Sequence, residues 1–71
     1  MIRLGEIRVG QKVEILEFID STVSRFFSCF GIEKGQQIIC IAKPGPVIIK
    51  RKQQEIAVGR DLSEQIYVRL V

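Results

Sequence analysis

Glycines and prolines divide this sequence into short segments, which leave room for brief strands and helices only. They stand at positions 5, 10, 31, 35, 44, 45, 46 and 59. Frequent turn residues with short β-rich runs between them are typical of a small barrel or sandwich. With 71 residues in all, the chain is predicted to form a single domain over 1–71.

Five short runs between these turns have the composition of β-strands. In the first, 12–19, Val13 and Ile15 alternate with Lys12 and Glu14. The alternation slips by one residue at positions 16–17, which predicts a β-bulge. The second run, 36–43, is apolar on both faces, which is typical of a central strand that is covered on both sides. The remaining predicted strands cover 47–52, 55–59 and 66–70, with a hairpin tip at 53–54.

The segment from about 21 to 30 has a helical pattern. Val23, Phe26, Phe27 and Phe30 recur at the spacing of one helix face, and this stripe predicts an α-helix whose aromatic side covers the core. Phe26, in the middle of the stripe, is expected to be a core residue. Asp20 or Ser21 is the expected N-cap, and Gly31 suits the left-handed residue that ends a helix. A single helical turn is predicted near 60–65, with Leu62 facing the core.

Together these elements predict an all-β fold. Five short strands in a chain of this length can enclose a core only by curling, and curling also limits the exposed edges of the sheet. The prediction is a partly open, SH3-like barrel with a short α-helix acting as a lid.

Composition restricts the chemistry that this chain can perform. It has no histidine and no tryptophan, so histidine-based nucleophile pairs and the commonest general base are excluded. Cys29 and Cys40 form no CxxC pair and are expected to be reduced, buried thiols. No two carboxylates form an evident pair, and no glycine motif for phosphate binding occurs. We therefore predict no catalytic residue, no cofactor and no metal site.

The run Lys50-Arg51-Lys52 is the one cluster of like charges in a chain of net charge +3. It has three interpretations: a solvated strand end, a contact for a protein partner, or a nucleic-acid contact. The last is disfavoured because stacking aromatic residues are not interleaved with the cations. The lid helix is also expected to leave Phe27 or Phe30 partly exposed beside the barrel. The predicted partner-binding residues are Phe27, Phe30, Lys50, Arg51, Lys52 and Arg60.

No apolar stretch approaches the length of a membrane span, so direct membrane insertion is not expected. The first ten residues include Arg3, Glu6 and Arg8 and contain no apolar core of a signal peptide. These observations predict a soluble, intracellular protein.

Three blocks of the sequence resemble the FeoA family, ferrous iron transport protein A. They follow the family's order and spacing from residue 4 to residue 68. The matching positions are Leu4, Gly10, Val13 and Ile15; then Arg25-Phe26, Gly31-Ile32, Gly35, Ile38 and Ile41; and finally Gly45-Pro46, the segment 56–60, Ile66 and Val68. The sequence departs from the family pattern at Lys34, where proline is usual, at Phe26-Phe27, which replace leucines, and at Gln53-Gln54, which replace a glycine-bearing hairpin.

The resemblance implies an SH3-like domain that serves as a cytoplasmic accessory protein of bacterial ferrous iron uptake. Its implied partner is the cytoplasmic, GTP-hydrolysing domain of the FeoB membrane transporter. Binding of transition metal ions is a property associated with the family, but this sequence offers no ligand set for it. The alternative function, from a different class, is that of a small-barrel nucleic-acid-binding protein.

Overall fold

Six antiparallel strands form one sheet in the computed structural model, which describes all 71 residues. Along the sheet the strands are ordered β1-β6-β2-β3-β4-β5. The mostly β architecture with a short helix confirms the predicted fold class. The bounds are β1 Ile2–Arg3, β2 Lys12–Phe18, β3 Gln37–Ala42, β4 Val47–Arg51, β5 Gln54–Val58 and β6 Ile66–Leu70, with helices α1 Ser21–Ser28 and α2 Arg60–Ser63.

The predicted bulge in β2 is present. Ile15 pairs with Val68, whereas Glu17 pairs with Tyr67, so one extra residue is accommodated between them. Because the extra residue shifts the alternation, Phe18 is buried and Glu17 is exposed. The slip in the sequence pattern therefore marks the point where β2 bends.

Strand β3 is central in the sheet, between β2 and β4, as its apolar composition predicted. Ile38 and Cys40 point into the core and are fully buried. Ile39 and Ile41 lie on the opposite face and are half-buried. That outer face carries no second layer, so the strand is covered completely on one side only.

Helix α1 begins where the sequence indicated, and the predicted glycine follows it. The Asp20 carboxylate accepts a hydrogen bond of 3.0 Å from the Val23 backbone N–H, which satisfies one free donor of the first turn. Gly31 has a φ of 75°, the left-handed conformation that favours glycine after a helix. The α-helix stops at Ser28, two residues short of the prediction.

The predicted orientation of α1 is wrong by one position. Phe27 is fully buried, while the Phe26 side chain is 48% exposed, so Phe26 is not a core residue. The Phe27 ring stacks on Phe18, the residue that the β2 bulge turns inward, with 5.7 Å between ring centroids. Val23 and Phe27, four residues apart, are buried together. The buried stripe of α1 therefore follows the i, i+4 row and leaves Phe26 at its edge.

The β4–β5 hairpin turns one residue earlier than predicted. Arg51 pairs with Gln54, so the tip is Lys52-Gln53 and not Gln53-Gln54. Lys52 has a φ of 58°, as a tight hairpin turn demands. This position normally favours glycine or asparagine. The residue types alone therefore did not locate the tip of the hairpin.

The N-terminal segment contains structure that the sequence pattern did not predict. Ile2–Arg3 pairs with β6 and adds a sixth strand. A 3₁₀ turn over Leu4–Glu6 follows and buries Leu4 completely. A strand of two residues is too short for periodicity to detect.

The single helical turn predicted near 60–65 is present as α2. Leu62 is half-buried and packs against the core, as expected. Ser63 is buried as well, and its hydroxyl donates to the Arg60 carbonyl oxygen at 2.8 Å.

Both cysteines are free, but only Cys40 is buried; Cys29 is exposed, contrary to the prediction. Neither helix has the length and apolar character needed to span a membrane.

Candidate functional site

Four cations meet around the end of β4 that leads into the hairpin turn, and we call them the basic surface: Lys12, Lys50, Arg51 and Lys52. The strand register brings them together, because Lys12 pairs with Ile39 and Ile39 pairs with Lys50. All four line one shallow groove whose floor includes the half-buried Ile39. Lys12 lies 38 positions from Lys50 in the chain, so sequence proximity could not reveal that it belongs to this cluster.

No carboxylate neutralises the basic surface directly. The three ion pairs of the protein join Arg3 to Glu64, Lys34 to Glu17, and Arg69 to Glu14. Glu55 lies opposite Lys50 in the strand register but forms no ion pair with it. The basic surface therefore presents uncompensated positive charge around an apolar floor, an arrangement that attracts acidic partners.

An aromatic edge lies at the end of α1 near the basic surface. The exposed Phe26 ring contacts Phe30 edge-on, with centroids 5.4 Å apart. A Cβ added to Gly31 would lie 3.6 Å from Nη1 of Arg51, so the Arg51 guanidinium extends to the end of this helix. The structure thus brings Phe30 and Arg51 to one region, although the two were predicted separately.

Phe27 does not belong to this edge. It was predicted to contact a partner, but it is fully buried and presents no surface to one. Phe26 occupies the exposed position instead. The sequence analysis missed it because Phe26 and Phe27 are neighbours on one helical stripe, and only the packing against Phe18 decides which ring faces inward.

Arg60 lies apart from the basic surface. It follows β5, so the length of that strand, roughly 17 Å at 3.4 Å per residue, separates it from Lys52. Arg60 lines a different groove together with Lys43. The Lys43 ammonium donates to the carbonyl oxygens of Gly5, at 3.0 Å, and Ile7, at 2.8 Å, and so fastens the N-terminal segment to the end of β3.

The protein contains no cluster of three or more histidine, cysteine, aspartate or glutamate side chains that could hold a metal ion. The two cysteines lie in different environments, one buried in β3 and one exposed after α1. The groups gathered in the candidate site are cations and aromatic rings.

A family model for the FeoA domain matches residues 2–70, nearly the whole chain. The chain belongs to the FeoA domain family. This confirms the resemblance that the three sequence blocks indicated. Members of the FeoA family are generally non-catalytic accessory proteins. No curated protein matches the chain.

Solved structures of FeoA proteins have the same fold. An iron uptake regulatory protein, FeoA, is 22% identical with a TM-score of 0.89, over 99% of this chain and 96% of its own. A FeoA-like protein from Clostridium acetobutylicum is 22% identical with a TM-score of 0.86, over 99% and 86%. FeoA from Stenotrophomonas maltophilia, solved with zinc and described as a prokaryotic SH3 domain protein, is 17% identical with a TM-score of 0.83, over 97% and 91%. These likenesses confirm the SH3-like fold of this FeoA domain.

Proposed function

We propose that this FeoA-domain protein is a non-enzymatic accessory protein of bacterial ferrous iron uptake. Its partner is the cytoplasmic, GTP-hydrolysing domain of a FeoB-type transporter. The observation that carries the proposal is the unneutralised basic surface around Ile39, in a chain that the FeoA family model covers over residues 2–70. The Stenotrophomonas relative, described as a candidate activating factor of ferrous iron transport, supports the same process.

A role in binding the transporter agrees with the lack of a metal-ligand set in this chain. First-row divalent metals favour imidazole, thiolate or clustered carboxylate ligands. The protein has no histidine, and its acidic side chains form no such cluster. It therefore acts on the protein that moves the ion, and it does so in the cytoplasm, where the GTP-hydrolysing domain lies.

The mechanism we infer is a shift between conformations that the transporter domain already samples. A bound protein changes such an equilibrium only by its difference in affinity for the two states. The exposed Phe26 and the half-buried Phe30 supply an apolar anchor. The basic surface beside them supplies the charges that steer association and fix orientation.

The test is a titration of the protein against the full-length transporter in lipid nanodiscs, at several salt concentrations, with empty nanodiscs as the control. We expect binding to the loaded discs only. Replacing Lys50, Arg51 and Lys52 together by glutamate slows association and changes its salt dependence, while much of the affinity remains. The charge-matched control replaces Arg8, Arg25 and Lys34, which lie outside the basic surface.

A parallel titration against mixed oligonucleotides separates this function from the alternative. If the cations neutralise phosphates, each contributes about one unit to the slope of log K against log salt concentration. Steeply salt-dependent binding to oligonucleotides, with none to the transporter, would overturn the proposed function and favour nucleic-acid binding.

A further inference from the structure

Strand β5 forms an open edge of the sheet. Its only partner is β4, and it ends the strand order opposite the two-residue β1. Arg51 and Gln54 flank the two-residue turn as a hydrogen-bonded pair, and such pairs alternate along an antiparallel ladder. The backbone groups of Gln54, Ile56 and Val58 therefore point to β4. Those of Glu55 and Ala57 point away from the sheet.

The outward backbone groups of β5 have no other partner. Neither Glu55 nor Ala57 takes part in any of the 17 backbone hydrogen bonds that lie outside the helices and strands. Both residues are exposed, and neither is a proline. The edge therefore offers two N–H donors and two carbonyl acceptors in register, which is the pattern that an added strand requires.

The side chains beside this edge indicate what an added strand would carry. Ile56 points inward and packs against the core, yet it stays half-buried because nothing lies beyond it. An apolar residue opposite Ile56 would complete its burial. Positive charge stands at both ends, with Lys52 at the turn and Arg60 beyond Val58, and neither is in an ion pair.

Charge disfavours two symmetric registers in which a second copy of this chain could pair with the edge. In a symmetric antiparallel pairing centred on Ile56, Lys52 in the turn of one copy lies near Arg60 at the start of α2 in the other, at both ends. A pairing centred on Glu55 places two glutamates opposite each other. Like charges that meet across a strand pair are destabilising, so both of these registers are disfavoured.

We propose that the β5 edge binds an extended, acidic segment of a partner protein as a seventh strand. The segment carries an apolar residue opposite Ile56 and carboxylates at its two ends, near Lys52 in the turn and Arg60 at the start of α2. Backbone hydrogen bonds to Glu55 and Ala57 hold it, and the terminal charges set its register. The inference goes beyond the proposed function, because it defines the chemistry of a segment and does not require the transporter.

The test uses the full chain labelled with nitrogen-15 and a capped synthetic peptide, Glu-Asp-Val-Thr-Val-Thr-Val-Asp-Glu. Aligned antiparallel to β5, this peptide places its central valine opposite Ile56 and its threonines opposite Glu55 and Ala57, with its acidic ends near Lys52 and Arg60. We expect the amide signals of Glu55 and Ala57 to move downfield and their hydrogen exchange to slow. The amides of Gln54, Ile56 and Val58, already bonded to β4, change less.

Two control peptides separate strand addition from general attraction. Methylation of the backbone nitrogens of both threonines removes the donors that face β5 and abolishes binding. Replacement of the four acidic residues by lysine abolishes it as well. Binding of either control as tightly as the parent peptide overturns the proposal.

Protein variants test the role of the end charges. Changing Lys52 and Arg60 to glutamate raises the Kd for the parent peptide about tenfold, because two modest surface ion pairs are lost. The variant Arg8→Glu with Arg25→Glu, equal in charge change, leaves it unaltered. The proposal is overturned if the largest shifts map to Lys12 and Ile39, if the chain dimerises through β5, or if the peptide fails to bind at millimolar concentration. Binding to the transporter is measured in a separate titration. Failure of the peptide to bind β5 therefore leaves the proposed function intact, and failure to bind the transporter leaves the β5 proposal intact.

Discussion

Replacing Phe27 by alanine should remove most of the stability of this protein. The side chain is fully buried and stacks on Phe18 at 5.7 Å, while Phe26 contacts it edge-on at 5.3 Å. Truncation of a buried phenylalanine costs about 3–5 kcal/mol. In a chain of this length a single hydrophobic core rarely supplies more than about 3–5 kcal/mol of stability. The Phe27→Ala protein should therefore be marginally folded or unfolded at 37 °C, within the physiological range.

Phe26→Ala is the matched control, because it removes the same side chain from the adjacent position. Phe26 is 48% exposed, so about half of its transfer free energy is at stake, and the expected cost is about 1 kcal/mol. Urea unfolding followed by circular dichroism measures both changes through the shift in midpoint, provided that the slope with denaturant stays constant. A cost for Phe26→Ala that equals or exceeds that for Phe27→Ala would refute the orientation of α1.

Three further substitutions test local features of the fold. Asp20→Ala removes the N-cap of α1 and should lower the free energy of unfolding by about 1 kcal/mol in the same urea titration. Gly31→Ala forces a side chain into the left-handed region and should cost about 1–2 kcal/mol; a neutral thermal melt would contradict the observed φ of 75°. Lys43→Met removes the ammonium that joins the Gly5 and Ile7 carbonyls and should cost about 1.5–3 kcal/mol. Hydrogen exchange of the N-terminal segment should then accelerate. Unchanged exchange there would argue against the role of Lys43 in fastening this segment to β3.

Local chemistry made the strands and the helix ends predictable from the sequence. The bulge in β2 follows from a break in alternation, and the start of α1 follows from the capping chemistry of Asp20. Both features depend on residues that are close in the chain. The hairpin tip was misplaced because Lys52 takes a left-handed conformation that its residue type does not indicate.

The orientation of α1 could not be predicted, because it depends on a distant contact. Phe26 and Phe27 fit the helical stripe equally well, and only the ring of Phe18 determines which one is buried. The candidate site has the same limitation. The run 50–52 is visible in the sequence, but the pairing of β2, β3 and β4 is needed to place Lys12 beside it.

The central claim is that this FeoA-domain protein promotes ferrous iron uptake by binding the transporter. The most direct measurement is the uptake rate of radioactive ferrous iron in cells that contain the FeoB-type transporter and either lack this protein, express it, or express the Lys50→Glu, Arg51→Glu, Lys52→Glu variant. Immunoblots establish equal amounts of both proteins. We predict that uptake is slow without the protein, is restored by the original chain, and is restored only partly by the variant at low expression. Equal uptake in all three strains would contradict the claim.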